Sequence, residues 1–315
     1  MPEPWLALPA PAKVNLVLRV LGKRPDGYHE IETLFHALAL HDLLLARRCP
    51  GASRLHLESR AGSGFAVPAD ADNLVLRAAA AFAAAVPGAS GAEFVLRKRI
   101  PAGGGLGGGS SDAAAALRLL NALHGEPLPA AELHRLARGL GADVCFFLRG
   151  GTQVGRGIGD DLAPVPDFPG LAVLLLLLPF GTATAAVYKS CRAELTQGTA
   201  KDKKPSDNAL GYKELAVPQG LANDLEEPAF RLQPELQRLF GLVAAHEAGV
   251  RMSGSGSTLF LAFPEREKER LARAQAKLAF LRHHGVVLHT TRSARGPWPL
   301  PPRRLPDAFQ GLPEG

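Results

Sequence analysis

The chain has 315 residues, 46% hydrophobic and 21% charged, the balance of a globular protein with about two domains rather than a disordered one. Its net charge of +6 suits anionic metabolites as well as nucleic acid. The Lys and Arg residues are scattered, with short clusters at Arg47–Arg48, Arg97–Arg99 and Lys201–Lys204, so no basic face or recognition motif marks a nucleic-acid binder.

The opening Trp5–Ala12 is apolar, but prolines interrupt it and Glu3, not a basic residue, precedes it, which argues against a signal peptide. Lys13–Leu21 alternates and is rich in Val and Leu, predicting a strand, and Thr33–Leu45 predicts further strand structure. Ala-rich Asn73–Val86 predicts a helix that starts at Asp72–Asn73 and ends at Pro87–Gly88. Glu93–Ile100 predicts a strand with Phe94, Leu96 and Lys98 on one face. Ser110–His124 predicts a helix capped by Ser110 or Ser111, with Asp112 at its positive end and Gly125 at its close. Pro129–Gly139 predicts another helix, and Asp143 falls on the turn beyond it.

The prolines around Val165–Pro169 mark a domain boundary. Leu171–Leu178 then predicts a buried strand, far too short to span a bilayer, which takes ~18 residues. Thr196–Val217 is polar and reads as a loop or insertion. A helix at Pro234–Ala248, a strand at Leu259–Phe263, a helix at Glu265–His283 and a strand at Val286–His289 complete an α+β pattern. Three units result: 1–165, 166–295, and a Pro-rich tail, 296–315, expected to be disordered. Cys49, Cys145 and Cys191 lack metal-like spacing and read as reduced thiols of a cytoplasmic protein.

The chemistry centres on Pro101–Ser111, where six of eleven residues are glycine. Without Cβ atoms, backbone N–H groups can converge on a phosphate, and the following helix aims its positive end at the same anion. A Walker loop is excluded, because Ser110 follows Gly109 where Lys is required. Gly103, Gly105 and Gly108 match the dinucleotide fingerprint, but the helix leads to another helix rather than to the strand of a βαβ unit, which weakens a hydride-transfer reading. Period-two alternation puts Lys13 and Asn15 on one face of an otherwise apolar strand, as a cleft would want.

Three segments, Pro11-Ala-Lys-Val-Asn15, Pro101–Ser111 and Met252-Ser-Gly-Ser-Gly-Ser-Thr258, together resemble the motifs of the galactokinase, homoserine kinase, mevalonate kinase and phosphomevalonate kinase superfamily. Lys23-Arg-Pro-Asp-Gly-Tyr-His29, the triple-glycine loop and Leu140-Gly-Ala-Asp-Val144 are similar to its branch acting on 4-diphosphocytidyl-2-C-methyl-D-erythritol. The resemblance runs from about Pro11 to about Thr291.

It implies an α+β fold of two domains, ribosomal-S5-like then ferredoxin-like, with the active site in the cleft between them. It also implies transfer of the γ-phosphoryl group of ATP to the 2-hydroxyl of that cytidyl-linked substrate, by a monomer or homodimer without nucleic-acid or membrane partners. Asp143 would be the base and Lys13 its partner near the transferred phosphate. Asn15, Tyr28, His29, Thr184 and Tyr188 would hold the substrate, the aromatic rings taking the cytosine. Asn73 and Lys98 would flank adenine and ribose. Pro101, Gly103, Gly104, Gly105, Leu106, Gly107, Gly108, Gly109, Ser110, Ser111, Gly254 and Gly256 would surround the phosphates. Mg2+ would ride on the nucleotide, with Ser111 as a protein contact. The alternatives are another kinase of the superfamily, such as one for homoserine, or a non-catalytic binding protein on a related fold.

Overall fold

The computed structural model describes residues 3–59, 68, 70–166, 168–191, 220–294 and 301–305. The expected loop Thr196–Val217 lies outside the described residues. Strands β1 (Leu6–Lys23) and β2 (His29–Cys49) form a long antiparallel hairpin, followed by β3 (Arg54–Ser59), β4 (Gly91–Lys98), β5 (Thr152–Arg156) and β6 (Asp161–Pro164). β7 (Leu171–Leu177), β8 (Ala222–Asn223), β9 (Arg251–Met252), β10 (Leu259–Pro264), β11 (Val287–Arg292) and β12 (Arg303–Arg304) complete the strands. The first sheet has the order β12-β1-β2-β4-β3, with β5 and β6 continuing from β2 and β8 running beside β1; the second is β11-β7-β10-β9.

β1 begins at Leu6 despite Pro9 and Pro11, earlier than the alternation from Lys13 suggests. β12 pairs with β1 only at Leu6 and Ala7, so the two prolines fall beyond the reach of β12, where a missing N–H is harmless. That pairing also corrects the expectation of a wholly disordered tail, since Arg303–Arg304 is a strand of the first sheet. Among the described residues the chain therefore returns to the first sheet after Val165–Pro169, through β8 and β12.

The α-helices among the described residues are α1 (Leu74–Ala85), α2 (Gly108–Leu123), α3 (Ala130–Leu140), α4 (Ala142–Arg149), α5 (Thr184–Lys189), α6 (Glu226–Leu232), α7 (Pro234–His246) and α8 (Lys268–Lys277). One core packs Phe35, Leu44, Phe94 and Leu96 of the first sheet against Ala113–Leu117 of α2 and Phe146 of α4. A second packs Leu174, Leu176, Leu261 and Phe263 against Leu236, Leu239 and Val243 of α7. A third lies between the sheets, with Val14, Leu16 and Leu34 against Val173, Leu175 and Phe260. β7 thus buries both faces, which is why it reads as an unbroken apolar run. No helix of the described residues is long and apolar enough to cross a membrane.

The single helix expected over Glu265–His283 is instead a 3-10 turn at Glu265–Glu267, then α8, then 3-10 structure at Ala279–His284. The tighter winding after Lys277 stacks Leu278 and Leu281, three apart, into the second core.

Candidate active site

A cleft of about 1240 Å³ runs between the first sheet, its helices and the loops of the second sheet. The glycine-rich loop forms its middle. Four successive carbonyls of the loop are tied down: Gly103 by Thr182 N–H, Gly104 by Thr258 N–H, Gly105 by the Ser253 hydroxyl and Leu106 by Lys13 N–H. Gly105 (φ +73°) and Gly107 (φ +71°) hold left-handed backbone, and both are also crowded. A Cβ on Gly105 would come 2.1 Å from the Ser253 carbonyl oxygen, and one on Gly107 would come 2.8 Å from the Phe147 ring.

α2 begins at Gly108 with Gly107 as its cap and no side-chain cap bond, which corrects the expected Ser110 or Ser111 cap. The helix begins two residues earlier than predicted because glycine at the cap tolerates the turn. The first internal bond is Ser111 N–H to Gly107, so the N–H groups of Gly108, Gly109 and Ser110 are without intrahelical acceptors at the cleft wall. Ser110 lines the cleft. Ser111 does not: its side chain is fully buried and its Oγ has no partner among the described residues. Gly254 lines the cleft opposite, while Gly256 lies behind it against Gly105.

Lys13 and Asn15 share a face of β1 as their spacing predicts, and the Lys13 ammonium donates to Asn15 Oδ1 at 2.7 Å. Asp143 comes within reach from another layer, with Oδ2 at 3.5 Å from Lys13 Nζ. It stands in the first turn of α4 rather than on a turn between elements, because α4 starts one residue after Gly141 ends α3. Lys13 is 4% exposed, whereas the Asp143 side chain is 36% exposed and open to the cleft.

At one end lie Asn73, Arg77, Lys98 and Pro101. Asn73 caps α1: its Oδ1 accepts from Val75 N–H at 2.9 Å and its amide donates to Pro68 O at 2.6 Å. Lys98 is held between Asp42 at 2.5 Å and Asp112 at 2.8 Å. Asp112 therefore answers a buried lysine rather than the helix end alone. Burial pushes the Asp112 carboxyl up to about 7, against the pull of Lys98 and with the push of Asp42. Lys98 is raised, the two carboxylates outweighing burial. Asp42 also accepts from the N–H groups of Arg99 and Ile100, so it anchors the chain just before the glycine loop.

At the other end, Tyr28, His29, Thr184 and Tyr188 line the cleft. The His29 and Tyr188 rings meet with centroids 5.4 Å apart and planes at 33°, whereas Tyr28 is 62% exposed on the rim. Burial, with Asp143 nearby, pushes the Tyr188 phenol well up, and burial lowers the His29 imidazole. Thr184 Oγ1 bonds the Ser255 hydroxyl at 2.8 Å, joining α5 to the Gly-Ser loop.

The structure adds residues that carry no motif. Asn223 donates to both Met252 O and Gly254 O at 2.7 Å, setting the shape of the Gly-Ser loop. Asp42 had one legible signal, a lone carboxylate inside the apolar run Thr33–Leu45. No group of three or more His, Cys, Asp or Glu among the described residues could hold a metal ion.

The GHMP kinases N terminal domain matches residues 73–151 and the GHMP kinases C terminal domain matches residues 209–280. The 4-diphosphocytidyl-2-C-methyl-D-erythritol kinase of Xanthobacter autotrophicus is 43% identical over 80% of this chain and 87% of its own length. That of Moorella thermoacetica is 40% identical over 81% and 89%. A crystal structure of 4-(cytidine 5'-diphospho)-2C-methyl-D-erythritol kinase is similar with a TM-score of 0.69 at 37% identity, covering 92% of this chain and all of the other. Homoserine kinase from Cytophaga hutchinsonii shares the fold at 18% identity, with a TM-score of 0.66 over 96% of this chain and 97% of its own.

Proposed function

Because the chain belongs to the 4-diphosphocytidyl-2-C-methyl-D-erythritol kinases, within the GHMP kinases, we infer that it transfers the γ-phosphoryl group of ATP to the 2-hydroxyl of that substrate. The reaction is a step of non-mevalonate isoprenoid biosynthesis, and we place it in the cytoplasm. The observation that carries the mechanism is the meeting of Lys13 and Asp143, 3.5 Å apart, beside the glycine-rich loop.

An alcohol attacks phosphorus readily only if its proton leaves as the bond forms, and the cleft-facing Asp143 carboxylate is the acceptor for that proton. Lys13 donates toward the transferred group, where negative charge is shared in the transition state, and Asn15 holds its ammonium in place. The free N–H groups at the start of α2 and the tethered loop Gly103–Gly107 cradle the nucleotide phosphates. Asn73 and Lys98, their polar groups already bonded within the protein, support this end of the cleft by shaping its wall. The cytosine stacks on the aromatic wall of His29 and Tyr188, with Tyr28 at the rim.

A magnesium ion carried by the nucleotide would fit the oxygen-bearing side chains that line the cleft, Asp143 and Ser110 among them. Ser110, not the buried Ser111, presents its hydroxyl there. Bound magnesium would neutralise charge on the phosphate oxygens.

The test is ADP release with ATP, magnesium and the cytidyl substrate, run beside homoserine and mevalonate. Turnover with the cytidyl substrate alone is expected. Turnover with homoserine or mevalonate instead would overturn the substrate while leaving a kinase.

A further inference from the structure

Behind Lys13 a single-file chain of hydrogen bonds runs away from the cleft into the sheet. Lys13 Nζ donates to Asn15 Oδ1 at 2.7 Å, Asn15 Nδ2 donates to Thr33 Oγ1 at 2.8 Å, and Thr33 Oγ1 donates to the Val17 carbonyl at 2.7 Å. Every member is buried, and Thr33 is fully so. The chain has one allowed polarity. An ammonium only donates, so Asn15 must turn its oxygen toward Lys13, and its amide N–H then needs an acceptor on the other side. Thr33 Oγ1 is that acceptor only because its own proton goes to Val17. The β1–β2 register shifts between Asn15 and Val17, and this bulge frees the local ladder to receive a side-chain hydroxyl.

We propose that Thr33 is a positioning residue for phosphoryl transfer: its hydroxyl fixes the orientation of the Asn15 amide, and through it the place of the Lys13 ammonium beside Asp143. The proposal rests on the roles given to Lys13 and Asp143 above. Thr33 is fully buried and does not line the cleft, so it would act through Asn15 rather than on a substrate. With the hydroxyl gone, the buried Asn15 N–H loses its acceptor and the amide is held at its oxygen end alone, free to swing with the lysine it bonds. Lys13, with Phe35 on one side (5.7 Å from the ring centroid) and Gly107 on the other, then loses the acceptor that aims it.

Thr33→Val keeps the shape and removes the hydroxyl. It is expected to lower kcat about 10- to 100-fold, the scale of a small misplacement of a catalytic group. The KM for ATP should be unchanged. Thr33→Ser should restore kcat, because the hydroxyl and not the methyl acts. In an Asn15→Ala background, Thr33→Val should lower kcat no further, since the link it acts through is gone. If valine unfolds the chain, Thr33→Ala in the same two backgrounds reads the same coupling. An unchanged kcat in the valine variant, or an equal loss with and without Asn15, overturns the proposal. Near-normal turnover of Lys13→Met would instead bring down the assigned role of Lys13, and the role of Thr33 with it.

Discussion

Lys98 and Asp112 meet at 2.8 Å with side chains 4% and 3% exposed, binding the end of β4 to the start of α2 on either side of the glycine-rich loop. Asp42 completes the group from β2. A lysine between two buried carboxylates leaves no neutral way to delete it. Lys98→Met would strand both acids, and breaking a buried pair in this way typically costs about 3–5 kcal/mol. Urea unfolding of the variant measures it. A loss of about 1 kcal/mol or less, the scale of an exposed pair, would mean that the network does not hold the loop in place.

Asp143→Asn keeps the shape of the cleft and removes the proton acceptor. Turnover should fall by about 100-fold or more, the lower range for a lost general base. Nucleotide affinity, followed by calorimetry with ADP, should be preserved, because Asp143 lies near Tyr188, at the end of the cleft we assign to the cytidyl substrate. Near-normal turnover would remove Asp143 from the mechanism.

Gly105→Ala should separate the loop from the Gly-Ser loop. Its Cβ would lie 2.1 Å from the Ser253 carbonyl oxygen at a φ of +73°, so the backbone must move. Left-handed backbone alone costs an alanine about 1–2 kcal/mol. The KM for ATP should rise while the KM for the cytidyl substrate changes little. Equal effects on both constants would point to general loosening.

Tyr188→Ala removes one of the two rings assigned to the cytosine, and a base-stacking contact is worth about 1–3 kcal/mol. The KM for the cytidyl substrate should rise accordingly, with that for ATP unchanged, and Tyr188→Phe should behave like the native chain. A phenylalanine variant as impaired as the alanine one would show that the phenol, not the ring, matters.

His36 predicts a pH dependence of stability. It is buried between the hydroxyls of Thr152 and Ser293, and burial lowers its imidazole from 6.5 to about 4. The unfolded chain therefore takes up a proton between those values that the folded chain refuses. The stability from this group is fully present above about pH 6.5 and is lost as pH falls toward about 4, to the extent of about 3 kcal/mol. Urea midpoints of the native chain and of His36→Gln across that range should converge at low pH. Parallel curves would exclude His36 as the cause.

The glycine-rich loop, the shared face of Lys13 and Asn15, and the doubly buried β7 were all legible in the sequence. Each depends on a local rule: backbone permissiveness, period-two alternation, or an unbroken apolar run. Short elements were not legible. α4 is invisible behind Gly139 and Gly141, and β12 hides in a Pro-rich stretch, because pairing with a distant strand outweighs its weak local preference. The cap of α2 is not legible because a serine and a glycine can both begin a helix, and local preference favours the serine over the Gly107 found there.

By itself the sequence determined that the chain carries a glycine-rich loop between a strand and a helix, and that Lys13 and Asn15 share one face of an otherwise apolar strand. Those follow from the chemistry of neighbours in the chain. Only the tertiary structure decided that Lys13 faces Asp143, that Lys98 turns to Asp42 and Asp112, and that Thr33 stands behind Asn15. These are contacts between separate elements, and their strength depends on distance and burial, which no local period encodes.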